Sequence, residues 1–434
     1  MFTTFRNAWK VPELRKKILY TLLIILVFRI GCHVPVPFMD PNALNSMFAE
    51  EGNFLNYMNL LSGGALSQGT LFALSIQPYI NASIIVQLLT YALPPLENLQ
   101  KEGESGRKKL QKITSLVALG ISLVMSYAYF VTLRSQGALT YTNGFAGTFT
   151  GIVIVLAFSA GASIVVWLGN RINENGIGNG ISMILFAGIV SRGPSAILKM
   201  FEQIKAGPQY VFVVPVVLIV FVLMIGFIVF MNESERRIPI QYAKRVVGRK
   251  QYGGQSTHIP IKIAMSGVMP IIFAMAIMSL PSTLSMFIKP AAVPETAMQK
   301  FYAGFINFFK YTSPWYAVFY FLLIIAFNYF YVSMQYNPIE IANGLRQNNG
   351  GIPGIRPGKP TSDFIKRVLG KITLVGAFFL GVIAIFPILT NLAFPNLGIA
   401  MGGTSILIIV SVVLETVRTL ESQMMMRHHK GFLE

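Results

Sequence analysis

Metal or nucleophilic chemistry in this chain would have to be built from four histidines, one cysteine and a glycine-rich stretch. His33, His258, His428 and His429 fall in loops or the C-terminal tail, and no Cys/His pair stands at zinc spacing. Cys32 has no second cysteine with which to form a disulfide, and reads as a packing residue. HExxH and GxxxxGK[ST] motifs are both absent. Gly176-Ile177-Gly178-Asn179-Gly180 has the spacing of a phosphate loop, but it lacks a lysine and opens an apolar run. It reads as a tight turn with close helix packing. His428-His429 reads as a solvated terminus. No cofactor or metal is expected. Acidic residues and histidine are also missing from the middle of the apolar runs, which counts against a proton-coupled pump. Arg29 lies near the outer end of one run, where it can snorkel to water, and Glu415 and Arg418 lie near the inner end of another.

Three other features carry chemistry of a different kind. The first is β-branched and branched apolar residues four apart, Ile80 with Ile84 and Ile181 with Leu185. Spacing of four puts each pair on one helix face. From pattern alone, helix packing or lipid contact accounts for them as well as a functional apolar surface does. The second is the uncharged, small-residue-rich stretch at 60–73, LLSGGALSQGTLFA. It is either an outer loop or a short re-entrant helix, which is tolerated at membrane depth only inside protein. The third is two basic loops. One holds Arg236, Arg237, Lys244, Arg245, Arg249 and Lys250; the other holds Arg356 and Lys359 within Ile352-Pro353-Gly354-Ile355-Arg356-Pro357-Gly358-Lys359. Proline fixes φ and glycine permits sharp turns, so the bracket predicts a rigid tip presenting Arg356. Such a tip suits RNA phosphate or protein carboxylates.

The elements that position these residues are membrane spans. Of the 434 residues, 53% are apolar and only 12% charged, about half the charged fraction of a soluble domain. The 43 residues between Lys371 and Glu415 contain no Asp, Glu, Lys or Arg, enough for two spans of ~20 residues. Apolar runs occur at 18–34, 71–93 (broken by Pro78), 113–133, 151–168, within 176–190, and at 210–231, 263–288, 315–336, 372–392 and 402–417. The basic start followed by an apolar run raises a cleavable signal, but no small-x-small site follows it, so it reads as a retained span. Ten spans put both termini on one side, and 27 of the 35 Lys and Arg fall on that side, which is therefore cytoplasmic. The expected fold is all-α, with a cytoplasmic tail (1–17), a first half (18–192), a second half (193–417) carrying loops 232–262 and 336–371, and a C-terminal tail (418–434). Five spans per half make the halves inverted relative to one another. Pro78-Tyr79-Ile80 and Pro270-Ile271-Ile272 form a weak echo between them.

The segments IQPYINASIIVQLLTYALP, GIGNGISMILFAGIV, IQYAKRVVGRK, QSTHIPIKIAMSGVMP, GIPGIRPG, KITLVGAFFLG and GGTSILIIV, in this order over essentially the whole chain, resemble the SecY family. The resemblance implies two inverted five-span halves around a central pore. It implies an apolar pore ring at Ile80, Ile84, Ile181, Leu185, Ile272 and Ile408, with Leu185 where isoleucine is expected. It implies a short plug helix about 60–73, including Leu60, Leu61, Ser62, Gly63, Gly64, Ala65, Leu66 and Leu71, and a lateral gate lined by the second and seventh spans, with Ser83, Gln87 and Ser266. The basic residues of the two loops, Arg356 foremost, would dock the SecA ATPase or the ribosome. Implied partners are SecE, SecG, preproteins with their signal sequences, and membrane lipid, and the implied location is the bacterial plasma membrane. The resemblance implies a channel without catalysis. The competing readings are an inverted-repeat transporter of a small solute, recruiting Asn81, Gln87 or Ser83, and a membrane-embedded enzyme, which lacks its paired acids or nucleophile.

Overall fold

The computed structural model describes residues 2–40, 43–44, 59, 62–206, 210–242, 245–247, 250–252, 256–287, 296–309, 313–393 and 403–430. Each of the ten apolar runs contains a helix. The N-terminal tail holds α1 (Phe2–Lys10), and the first half holds α2 (Pro12–Gly31), which begins in the tail, α3 (Gln77–Ala92), α4 (Pro94–Lys101), α5 (Glu104–Ser135), α6 (Gly144–Asn175) and α7 (Gly180–Ser191). The second holds α8 (Gly193–Ala206), α9 (Tyr210–Glu233), α10 (Met269–Phe287), α11 (Ala297–Phe308), α12 (Pro314–Gln335), α13 (Pro338–Gln347), α14 (Lys359–Ala393) and α15 (Gly403–Lys430). Among the described residues, α5, α6, α9, α12 and α14 are long and apolar enough to cross a bilayer by length and composition alone. Their outer faces leave large apolar side chains uncovered, Phe212 at 79% exposure and Leu116 at 69%, a surface that only lipid satisfies.

The shorter helices sit at the centre. The second run does not begin its helix at Leu71: α3 starts at Gln77, with Pro78 in its first turn, where the missing N–H costs no hydrogen bond. At 1.5 Å per residue, the 16 residues of α3 and the 12 of α7 rise about 24 and 18 Å, short of the ~30 Å hydrocarbon core. Such segments are viable only where protein surrounds them. The turn before α7 is built by side chains. Asn179 caps the helix by accepting from Ile181 N and Ser182 N, and Asn173 Oδ1 accepts from Gly180 N at 2.7 Å. A Cβ on Gly180 would lie 1.9 Å from the Gly169 carbonyl, so only glycine allows α7 to pack this closely on α6. The tight-turn reading of this glycine run is what the structure shows.

One apolar core lies in the first half, where α5 and α6 meet the segments around Val36 and Leu74. A second joins α9, α10, α12, α14 and α15. A third lies between them and draws on both.

Outside the spans the chain forms strands that the helical periodicity did not announce. β1 (Glu235–Tyr242) pairs antiparallel with β4 (Ser256–Lys262), placing Arg237 opposite Pro260, and β2 (Arg245–Val247) and β3 (Lys250–Tyr252) make a hairpin between them. β1 also pairs with β5 (Gly350–Gly351) from the other basic loop, so the sheet order is β4-β1-β5.

Candidate pore constriction, plug and docking platform

The six proposed ring residues come from four helices and all belong to one extended apolar cluster. Ile80 and Ile84 of α3, Leu185 of α7 and Ile408 of α15 are buried, and Ile181 of α7 and Ile272 of α10 pack against them half-buried. Spacing of four does put Ile80 with Ile84, and Ile181 with Leu185, on inward faces. Phe28, Ile76, Val165, Leu168, Ile184, Phe273 and Val412 are among its other members, and Tyr331 at its edge feels the charge of Glu415.

The small-residue stretch closes one side of this cluster. Leu60 and Leu61 lie outside the described residues. From Ser62 to Ile76 the chain runs through successive turns rather than the expected short helix. The reason is local: Gly63, Gly64 and Gly69 adopt φ of 66°, 92° and 59°, a left-handed conformation that ends any α-helical run. The segment is nonetheless deeply packed. Ser62, Ala65 and Leu66 are at most 1% exposed. Ala65, Phe72 and half-buried Leu71 join the central cluster, while Leu66, Ala73 and Leu74 join the core of the first half. Its backbone is satisfied by neighbours: Leu71 N donates to Val34 O at 2.9 Å, Val36 N to Gly69 O at 3.0 Å, and Tyr129 Oη to Leu66 O at 3.0 Å. Phe72 stacks on Phe28 with ring centroids 5.9 Å apart. Arg29 does not simply snorkel to water; its Nη1 turns inward and donates to Gly63 O at 3.3 Å.

Of the three gate residues, Ser83 and Gln87 lie half-buried on α3, which packs with α5 against α10. Ser266 is engaged elsewhere. It is 4% exposed, and its hydroxyl donates to Asn328 Oδ1 on α12, whose Nδ2 donates to Thr373 O on α14 at 2.8 Å. Ser266 therefore ties the second half together rather than facing the first. The seam is marked instead by Tyr91 of α3 and Phe330 of α12, whose ring centroids stand 5.7 Å apart. Sequence reasoning passed over both aromatics and Asn328, because none stands out until the helices are placed.

The two basic loops form one platform. Ile238, Ile240 and Ile261 of the sheet pack on Leu345, Ile352, Ile365 and Leu369; Arg237 of β1 is exposed on the opposite face, and Arg236 is exposed at the start of the strand. Arg237 is paired with Glu235 at 2.7 Å. Lys244 and Arg249 lie outside the described residues, and Arg245 and Lys250 are placed by backbone alone, in the β2–β3 hairpin. Arg356 and Lys359 are exposed. The backbone of the tip is held by packing and turns. Ile352 is buried with Ile355 packed beside it, Gly354 and Gly358 take φ of 79° and 101°, and Thr361 Oγ1 donates to Arg356 O at 2.8 Å.

The family model named SecY matches residues 70–417. The chain belongs to the SecY family. It is 42% identical, over the full length of both chains, to the protein translocase subunit SecY of Streptomyces griseus, and 39% identical over the full length of both to that of Mycobacterium tuberculosis H37Rv. Its fold is similar to a solved protein-conducting channel, with a TM-score of 0.63 over 94% of this chain and 92% of that one at 19% identity. A SecY structure described by its plug domain superposes with a TM-score of 0.64 over the same shares of the two chains, also at 19% identity. Sec61 from a canine ribosome-channel complex gives 0.58 at 18% identity, again over 94% and 92%. The SecY-family fold therefore covers the ring cluster, the turn segment beside it and both basic loops.

Proposed function

We propose that this chain is the protein-conducting channel of a Sec translocase, passing unfolded preproteins across the bacterial plasma membrane and releasing hydrophobic segments sideways into lipid. The observation that carries this reading is the convergence of six uncharged, branched side chains from α3, α7, α10 and α15 into one cluster roofed by the 62–76 segment. A channel for polypeptide must admit many kinds of side chain and still hold back ions when idle. An apolar constriction does so by dewetting, without a charge that would select one ion. Isoleucine and leucine can move aside for a passing chain and close behind it. The segment containing Ser62–Ala73 acts as the plug, in turns rather than a helix.

The two halves, 18–192 and 193–417, meet where α3 and α5 face α10 and, across the molecule, where α7 faces α15; the first of these is the side seam. Rigid-body parting along this seam is the side exit, where hydrophobicity decides which segments partition into lipid. Ten spans with both termini cytoplasmic account for the bias of Lys and Arg toward one set of loops. That same side carries the sheet-backed platform and the Arg356 tip. SecA and the ribosome dock there, and SecE and SecG complete the assembly. The driving energy comes from those partners, the chain itself acting as a conduit without catalysis.

Reconstitution tests the reading. The chain is placed in vesicles with SecE, SecG, SecA and ATP, and a preprotein is expected to become protease-protected. Failure of that protection would overturn the channel, and accumulation of a labelled small solute in its place would favour a transporter.

A further inference from the structure

Two arginines outside the docking platform converge on the plug. Arg29, at the outer end of α2, donates to Gly63 O, and a Cβ on Gly63 would lie 2.6 Å from its Nη1. Arg192 follows α7 and lies over the next residue: a Cβ on Gly64 would lie 2.9 Å from its Nη2 and 3.2 Å from its Nε. Gly63 also presses on the end of α7, with Ser191 Oγ and Gly188 O about as near. Neither arginine takes part in an ion pair among the described residues. The two guanidiniums reach adjacent residues of one turn, Gly63 and Gly64. The pKa of Arg192 is drawn down first by burial and then by Arg29.

Two partly buried like charges should not sit together unless something compensates them. Carbonyls in a segment of turns are free of a helical ladder, so they can point outward as acceptors. A charge-assisted N–H···O contact is about twice as strong as a neutral one. We propose that Arg29 and Arg192 are positioning residues of the plug, clamping Gly63-Gly64 at the outer mouth so that the resting channel stays shut. The clamp is bistable. With the plug seated, backbone oxygen and tight packing offset the crowding of the two cations. Once the plug is displaced, the cations repel each other and hydrate, which favours an open mouth until the segment returns. The glycines themselves are required by their left-handed backbone, and a Cβ at either would also make a guanidinium shift.

This rests on the plug reading, and the molecule contains its own reporter. Cys32 is the single cysteine, is 2% exposed, and places its Sγ against Ser62 O at 3.8 Å. The test uses the resting complex, with Cys-free partner subunits, in vesicles. It measures the labelling rate of Cys32 by a membrane-impermeant maleimide together with ion conductance. Arg29→Met, Arg192→Met and the double variant are expected to label about tenfold faster than the parent and to conduct in the resting state. Arg29→Lys, which retains a donor, is expected to stay within about twofold of the parent. Preprotein protection in the same vesicles shows that each variant is folded. Parental labelling and conductance in all three Met variants would overturn the clamp. So would an Arg29→Lys variant as open as Arg29→Met. Deletion of residues 62–73 separates the two ideas. A leaky deletion beside tight Met variants sinks the clamp and leaves the plug, whereas a tight deletion sinks both.

Discussion

Single side chains in this protein act through what they exclude. Ile84 is 5% exposed in an apolar cluster. Ile84→Ser puts a hydroxyl where water must be kept out, and is expected to raise resting ion conductance severalfold while preprotein still becomes protease-protected; conductance at the parental level would count against a ring at this position. Arg356 acts at the opposite extreme, exposed on a tip whose backbone is held by neighbours rather than by its own side chain. Arg356→Glu is expected to lower SecA-driven transport at least about tenfold with unfolding within about 0.5 kcal/mol of the parent, since an exposed substitution touches no core. Full transport by that variant would remove Arg356 from the docking surface. Asn328 is a structural counterpart, 2% exposed and bonded to both Ser266 and Thr373. Asn328→Leu leaves the Ser266 hydroxyl unpaired in an apolar interior. Denaturant unfolding should show a loss of about 1–2 kcal/mol.

Elements take their roles from length and backbone shape. α3 and α7 are too short to face lipid over a whole bilayer, which fits their buried faces and the four proposed ring residues they carry. The segment at 62–76 is held by bonds to Val34, Val36 and Tyr129 that do not require it to be helical. It can therefore leave and return as a unit without unwinding a helix. Deleting residues 60–73 is expected to raise ion leak in planar bilayers without abolishing secretion, and unchanged conductance would argue that the segment is only a loop. The basic loops show the same economy. Neither has a core of its own, but pairing β1 with β5 joins them over one apolar layer and fixes the Arg356 tip relative to Arg236 and Arg237.

Each half of the molecule has an apolar core, and a third core between them draws on both. Opening the seam is the one large motion that the architecture invites, because each half keeps its own apolar cluster when they part. With Cys32→Ser as background, Tyr91→Cys and Phe330→Cys can be joined by a short reducible bis-thiosulfonate linker, since the native rings touch. Joining them is expected to cut preprotein transport at least about tenfold, with recovery on reduction. Transport that ignores the linker would place the path away from this seam.

Hydrophobic runs, the placement of lysine and arginine, and proline-glycine punctuation made much of this legible in the linear chain. Those signals are local, and local physics sets them: a lipid-facing helix must be apolar along its length, and a tip between Gly354 and Gly358 must turn. The tight turn before α7 and the exposed Arg356 tip were readable for that reason. The start of α3 at Gln77, the turns at 62–76, the strands joining the two loops, the inward bond of Arg29 and the capture of Ser266 by Asn328 were not. Each depends on which groups meet across tens or hundreds of residues. A buried polar group takes whichever partner the packing brings near, and no local spacing encodes that choice. The seven segments that resemble the SecY family pointed to a ring, but only packing could bring Ile408 and Ile80 into one apolar cluster.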